Sequence, residues 1–202
     1  MGARRAARGH RDHRRHEHRR ALLAARGAVN HQNDDEELLA AALRIASCSG
    51  MVTKLGKCKD AEFGASGNVF LARWLHNADA PAAEIQRSAL RGYASTVKRF
   101  GALIILEPGS KAPDAAARKI VADTMVELAS QCACVAYALL NPGFLGAAAR
   151  AAITGLNLIA RPTYETKVFA MTPDAITWVC QKLGANVSSI ELHADVAAFT
   201  VG

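Results

Sequence analysis

The sequence has 202 residues, half of them hydrophobic and 21% charged, which is the composition of a globular protein with one ordinary domain. Its formal net charge is +7, but residues 1–26 hold nine arginines against Asp12 and Glu17, so the whole excess lies in this leader. The rest of the chain is balanced and lacks the clustered basic residues that predict nucleic-acid binding. No apolar run of about 18 residues occurs, so no membrane-spanning helix is predicted.

Residues 1–50 differ in composition from everything that follows. Arg and His dominate residues 1–20, which have almost no apolar surface to bury and are predicted to be disordered. An acidic run ahead of an apolar segment favours a short helix at 34–46. The arginines and the histidines leave open nucleic-acid or metal binding by the leader. The alternatives are a solvated tail without a ligand and sequence translated upstream of the true start. We expect residues 51–202 to form a single domain that begins at Met51.

From residue 69 onward, apolar runs alternate with helical segments. Strands are predicted at 69–76, 101–106, 132–140 and 165–171, and helices at 82–99, 113–130, 144–160 and 172–183. The run 101–106 is continuous and aliphatic, which is typical of a central strand covered on both faces. The pattern from 187 to 201 is too weak to assign. This alternation predicts an α/β domain with flanking helices and a mainly parallel sheet of four or five strands.

A family resemblance follows from this pattern over residues 100 to 183. The segments that carry it are Gly101–Glu107, Gly143-Phe144, Ala147-Ala148 with Arg150, Thr154–Leu156, Lys167–Phe169 and Ala175–Trp178. In these segments the chain resembles STAS-type domains, which have the anti-sigma-factor-antagonist fold. The resemblance implies a non-enzymatic regulatory or protein-interaction domain with a protein partner, which could be a second copy of the chain.

The resemblance also directs attention to the loop after the central strand. STAS-type switches usually carry an Asp-Ser pair there, whereas this chain has Glu107-Pro108-Gly109-Ser110. Ser110 is therefore the candidate regulatory phosphosite, in a loop that lacks the expected aspartate.

Other strand-end loops suggest an alternative function. Glu107, Asn141, Gly143 and Arg150 lie at or just after strand ends, where α/β sheets bind ligands and helix N-termini attract anions. These four residues are the candidate anion-binding or partner-binding loops. They predict a small-molecule or anion-binding α/β domain as the alternative to a regulatory one.

Residues that would indicate catalysis or a resident cofactor are missing from the sequence. There is no phosphate loop, no dinucleotide fingerprint and no nucleophile elbow, so we expect no catalytic residue, no cofactor and a non-enzymatic protein. Cys132 and Cys134 are predicted to project to one face of a strand, with Cys180 approaching from the last helix. They are interpreted as buried, reduced thiols and not as metal ligands, which favours a cytoplasmic location.

Overall fold

A computed structural model describes residues 52–141, 143–184 and 187–201. The leader predicted at 1–50, with its short helix at 34–46, lies outside these residues. The strands are β1 (Thr53–Lys57), β2 (Ala61–Ser66), β3 (Val69–Trp74), β4 (Phe100–Leu106), β5 (Cys132–Leu139) and β6 (Glu165–Phe169). The helices are α1 (Ala80–Ala94), α2 (Ala115–Glu127), α3 (Gly143–Ala160), α4 (Thr172–Leu183) and α5 (Ser189–Val201).

The six strands form one sheet in the order in which they occur along the chain. β1, β2 and β3 pair antiparallel, and β3, β4, β5 and β6 pair parallel. The predicted α/β class and mainly parallel sheet are therefore confirmed, with six strands where four or five were expected. The sequence prediction missed β1 and β2, because Thr53–Lys57 is largely polar and β2 contains Gly64 and small residues in place of branched aliphatics.

Helices cover the sheet in two groups. α1, α2 and α3, which connect the parallel strands, lie on the first face, and α4 and α5, which follow the last strand, lie on the second. Connections between parallel strands almost always have the same handedness. Here each connection leads to the next strand in the same direction along the sheet, so their helices are expected to lie on the same face. In the part of the chain that the structure describes, no helix combines the length and hydrophobicity needed to cross a bilayer.

The second face is packed closely because the residues on it are small. A Cβ added at Gly101 would lie 3.1 Å from Leu183 Cδ1 and 3.2 Å from both Val179 Cγ1 and Cys134 Sγ. Fully buried Ala136, Ala138 and Ala175 continue this narrow layer. α4 therefore lies directly against β4 and β5.

α5 is the second element that the sequence prediction missed. It buries Leu192, Val196 and Phe199 against the second face, which is a helical spacing of four and three residues. Asp195 interrupts this apolar stripe, yet it too is buried and accepts a hydrogen bond from Ser66 Oγ at 2.5 Å. A charged residue within the buried face is the reason that the pattern looked weak.

A β-bulge in β5 corrects the prediction for the cysteines. Phe100 pairs with Cys132 and the next residue, Gly101, pairs with Cys134, so Ala133 is an additional residue in β5. Cys132 consequently lies in the core of the first face and Cys134 in that of the second. The prediction that both project to one face was wrong, because strict alternation fails at a bulge.

Candidate functional site

Ser110 and Asn141 join two loops at the carboxyl ends of β4 and β5. Asn141 Nδ2 donates to Ser110 O at 3.2 Å and to Ser110 Oγ at 3.0 Å, while Gly109 N donates to Asn141 Oδ1 at 2.6 Å. The two side chains are 2% and 4% exposed. The amide of Asn141 thus acts as a buried brace between the loops, and in this arrangement the Ser110 hydroxyl is not accessible to a modifying enzyme.

Glu107 belongs to a different set of contacts at the same end of the sheet. Arg73 Nε donates to Glu107 Oε1 at 2.8 Å, and Arg73 Nη1 lies 3.9 Å from Glu62 Oε2. Glu62 in turn pairs with Lys57 at 2.6 Å. These charged side chains form a row across the neighbouring strands. The Glu107 carboxylate is paired with Arg73 in this row and makes no hydrogen bond with Asn141 in the described residues.

Gly143 and Arg150 make no hydrogen bond with Ser110 or Asn141 in the described residues, although a Cβ added at Gly146 would contact both Asn141 O and Arg150 Nη1. Gly143 opens α3 with a φ of 62°, a conformation that glycine adopts without strain. Arg150 is exposed on the same helix. Of the predicted site residues, Ser110 and Asn141 are joined by hydrogen bonds, and Arg150 lies close to Asn141 across Gly146.

A cavity of about 100 Å³ lies between the first face of the sheet and helices α1–α3. The strands supply mostly large apolar side chains to its wall, and the three helices supply both aliphatic residues and alanines. Representative lining residues are Trp74, Leu106 and Val135 from the strands and Leu90, Met125 and Ile153 from the helices.

The alanines on the helices explain why this space is open. Ala83 of α1, Ala117 of α2 and Ala149 of α3 line the cavity and are 0–3% exposed. Protein interiors normally reach crystal-like packing density, with few voids larger than a water molecule. On this face the short alanine side chains do not fill the space beneath the helices, so a cavity remains.

Three polar side chains lie at the β5 side of the cavity. Tyr137 of β5, Tyr164 from the segment before β6, and Cys132 all line it. Burial raises the pKa of both tyrosines, and the neighbouring Cys132 contributes to each rise. Burial also raises the pKa of the Cys132 thiol to about 12, so all three groups are uncharged near neutral pH.

Arg87 of α1 brings a positive charge to the wall of the same cavity. Its Nε is buried without a hydrogen-bond partner among the described residues, and its terminal nitrogens lie 3.6 Å from Glu84 Oε1 and from Glu127 Oε2. Lys111, which is exposed, also contributes to the lining. The cavity therefore has an apolar body, neutral hydroxyls near β5 and basic groups on α1 and on the loop after β4.

Sequence reasoning did not find this cavity, because its walls come from three strands, three helices and the loops between them. The strand-end residues Glu107, Asn141, Gly143 and Arg150 do not line it. The one signal in the sequence was the Ala-rich character of the helices that face large aromatic residues on the strands.

The buried thiols predict a loss of stability at alkaline pH. Burial raises the pKa of Cys132 to about 12 and that of Cys134 to about 11, against 9.0 for an exposed thiol. Above pH 9.0 the unfolded chain loses these protons first, so the free energy of unfolding falls as pH rises towards the folded pKa values. The expected slope is about 1.4 kcal/mol per pH unit for each thiol.

Urea unfolding of the reduced protein between pH 8 and pH 11 measures this slope. The Cys132→Ala variant should show a shallower decline than the unmodified chain over the same range. An identical decline in the two proteins would contradict the assignment of the slope to this thiol.

Comparisons with known proteins give one similarity. No family model and no curated protein matches the chain. Among solved structures, the chain is similar to an uncharacterised protein of the DUF3478 family, with a SpoIIAA-like fold, from Shewanella loihica PV-4. The identity is 16% and the TM-score 0.44, over 64% of this chain and 92% of that chain.

Proposed function

We propose that this chain is a non-enzymatic binding domain that holds a small apolar molecule between its sheet and helices α1–α3. The observation that carries the proposal is the cavity of about 100 Å³ on the first face of the sheet. Ligand sites in proteins are typically concave and mostly apolar, with a few polar groups that fix the orientation of the ligand. The lining of this cavity has that composition.

The chemistry of the lining supports binding without catalysis. No Asp, Glu or His is among the residues that line the cavity. The thiol of Cys132 and the phenols of Tyr137 and Tyr164 are held in their neutral forms by burial. General acid-base catalysis works best with a group whose pKa lies near the working pH, and these groups lie far above neutrality.

The volume favours a compact ligand. An engineered apolar cavity of about 150 Å³ stays dry and binds benzene or xenon. A cavity of about 100 Å³ is therefore suited to a molecule of one small ring or an equivalent aliphatic chain. Each buried CH₂ of such a ligand contributes roughly 0.8 kcal/mol, so millimolar to micromolar affinity is expected for a simple hydrocarbon.

Toluene binding to the full chain tests the proposal. In methyl NMR spectra, toluene should shift the resonances of Ile104, Val135 and Ile153, whose side chains line the cavity. Ala149→Leu adds volume at a buried lining position and should abolish these shifts. Ala147→Leu, on an exposed position of the same helix, should retain them.

Two outcomes would overturn the proposal. The first is the absence of toluene-dependent shifts in the unmodified chain, and the second is equal shifts in the Ala149→Leu and Ala147→Leu variants. Ala83→Leu fills the cavity from α1 and replaces Ala149→Leu as the blocking variant if the latter does not fold.

A second candidate function is protein interaction, which the exposed end of α3 favours. Leu158 and Ile159 are each 70% exposed, although they are large and apolar. α3 carries no charged residue after Arg150, so a second copy of this face could pack against it without like-charge repulsion. We therefore propose a second copy of the chain as the occupant of this face.

Light scattering over a range of concentrations tests this second candidate. Leu158→Glu should shift the chain towards the monomer, whereas Ile190→Glu, an equally conspicuous exposed residue on α5, should not. A chain that stays monomeric at all concentrations, or an equal effect of both variants, would remove the candidate.

A further inference from the structure

We infer that the ligand of the cavity carries an uncharged oxygen that accepts hydrogen bonds, such as a ketone or amide carbonyl, held by Tyr137 and Tyr164. The inference rests on the proposed function, and it adds the chemical class of the ligand and its orientation. It places the polar end of the ligand beside β5 and its apolar body along the sheet.

The two tyrosines provide donors that the described residues leave unused. Tyr137 is 7% exposed as a residue, and it lines the cavity. Tyr164 lies in the segment that precedes β6, and the three neighbours Tyr164, Tyr137 and Cys132 are close enough to affect one another's ionisation. Neither phenol makes a hydrogen bond with the described residues, whereas Tyr93, on the same face of the sheet, donates to Gly67 O at 2.9 Å.

A neutral hydroxyl that lines the cavity and has no partner in the described residues can donate to a ligand that supplies an acceptor. A phenol near neutral pH donates one proton, so the two tyrosines offer two donors at this wall. The most complementary ligand group is therefore an oxygen with two lone pairs and no proton of its own.

The cationic side chains that line the cavity favour an uncharged oxygen on the ligand over a carboxylate. Among the lining residues the only cationic side chains are Arg87 and Lys111. α1, which carries Arg87, lies against β1, β2 and β3, whereas Tyr137 is on β5. The terminal nitrogens of Arg87 lie 3.6 Å from Glu84 Oε1 and from Glu127 Oε2, so its charge is already paired, and burying a carboxylate at the tyrosines would be costly.

Paired probes of matched shape test the inference on the full chain. Cyclohexanone and methylenecyclohexane differ only in the exchange of a carbonyl oxygen for a CH₂ group. Tyr137→Phe should weaken cyclohexanone binding about fivefold, the equivalent of one hydrogen bond of about 1 kcal/mol. The same variant should change methylenecyclohexane binding less than twofold, and Tyr93→Phe should leave both affinities unchanged.

Each alternative result contradicts a specific step. If Tyr137→Phe weakens both probes equally, or neither, then the phenol does not select an acceptor and the inference is wrong. If cyclohexanecarboxylate binds with the same dependence on Tyr137, then the oxygen is not an uncharged one. If toluene binds but cyclohexanone does not, the inference fails and the proposed function stands; if no probe binds, both fail together.

Discussion

Replacing Gly146 by alanine is expected to lower the free energy of unfolding by about 3 kcal/mol. A Cβ at this position would clash with Asn141 O, which is a backbone atom and cannot rotate away. The first turn of α3 would have to shift, and Asn141, which braces Gly109 and Ser110, would have to shift with it. The effect therefore extends from one helix to the loop after β4.

Gly155→Ala on the same helix is the matched control. A Cβ at Gly155 meets no atom within 4 Å, so this substitution should leave stability unchanged or raise it by up to about 1 kcal/mol through helix propensity. Urea unfolding of both variants measures the difference. Equal stability of the two variants would contradict the close approach of α3 to Asn141.

Ser110→Asp is expected to destabilise the domain by about 3 kcal/mol or more. Ser110 is 2% exposed, and its Oγ accepts a hydrogen bond from Asn141 Nδ2 at 3.0 Å. An aspartate here would be larger than serine and would bury a negative charge without a cation among its recorded partners. The same argument holds for phosphorylation of Ser110, which would have to open the loop.

Ser110→Ala separates the loss of the hydroxyl from the burial of charge. It should cost about 1 kcal/mol, because Asn141 Nδ2 keeps its second acceptor, Ser110 O. Thermal unfolding compares the two variants directly. An aspartate variant as stable as the alanine variant would show that the loop opens readily, and would support Ser110 as a switch.

Much of the fold could be predicted from local pattern. The continuous aliphatic run of β4 and the turn residues after it predicted a central buried strand, and all seven residues of Phe100–Leu106 are buried. The β1–β2 hairpin was missed because its pairing partners are close in sequence but have weak strand propensity. α5 was missed because the buried Asp195 interrupts its apolar stripe.

Tertiary contacts decide the candidate site, and for this reason the sequence predicted only part of it. Ser110 and Asn141 were both singled out, yet their direct hydrogen bonds depend on β4 and β5 being neighbours. The cavity depends on the distance between the helices and the sheet. That distance is set by alanines on the helices that face large side chains on the strands. The separation of Cys132 from Cys134 depends on one bulge, which strict alternation does not predict.

A crystal structure of the full chain under xenon pressure tests the central claim most directly. Xenon binds dry apolar cavities, so the account predicts a xenon peak between the first face of the sheet and helices α1–α3, beside Ile104, Val135 and Ile153. A peak there would show that the space is open, apolar and reachable. Ordered water throughout the cavity, or helices collapsed onto the sheet with no peak, would contradict the proposal that this domain binds a small apolar molecule.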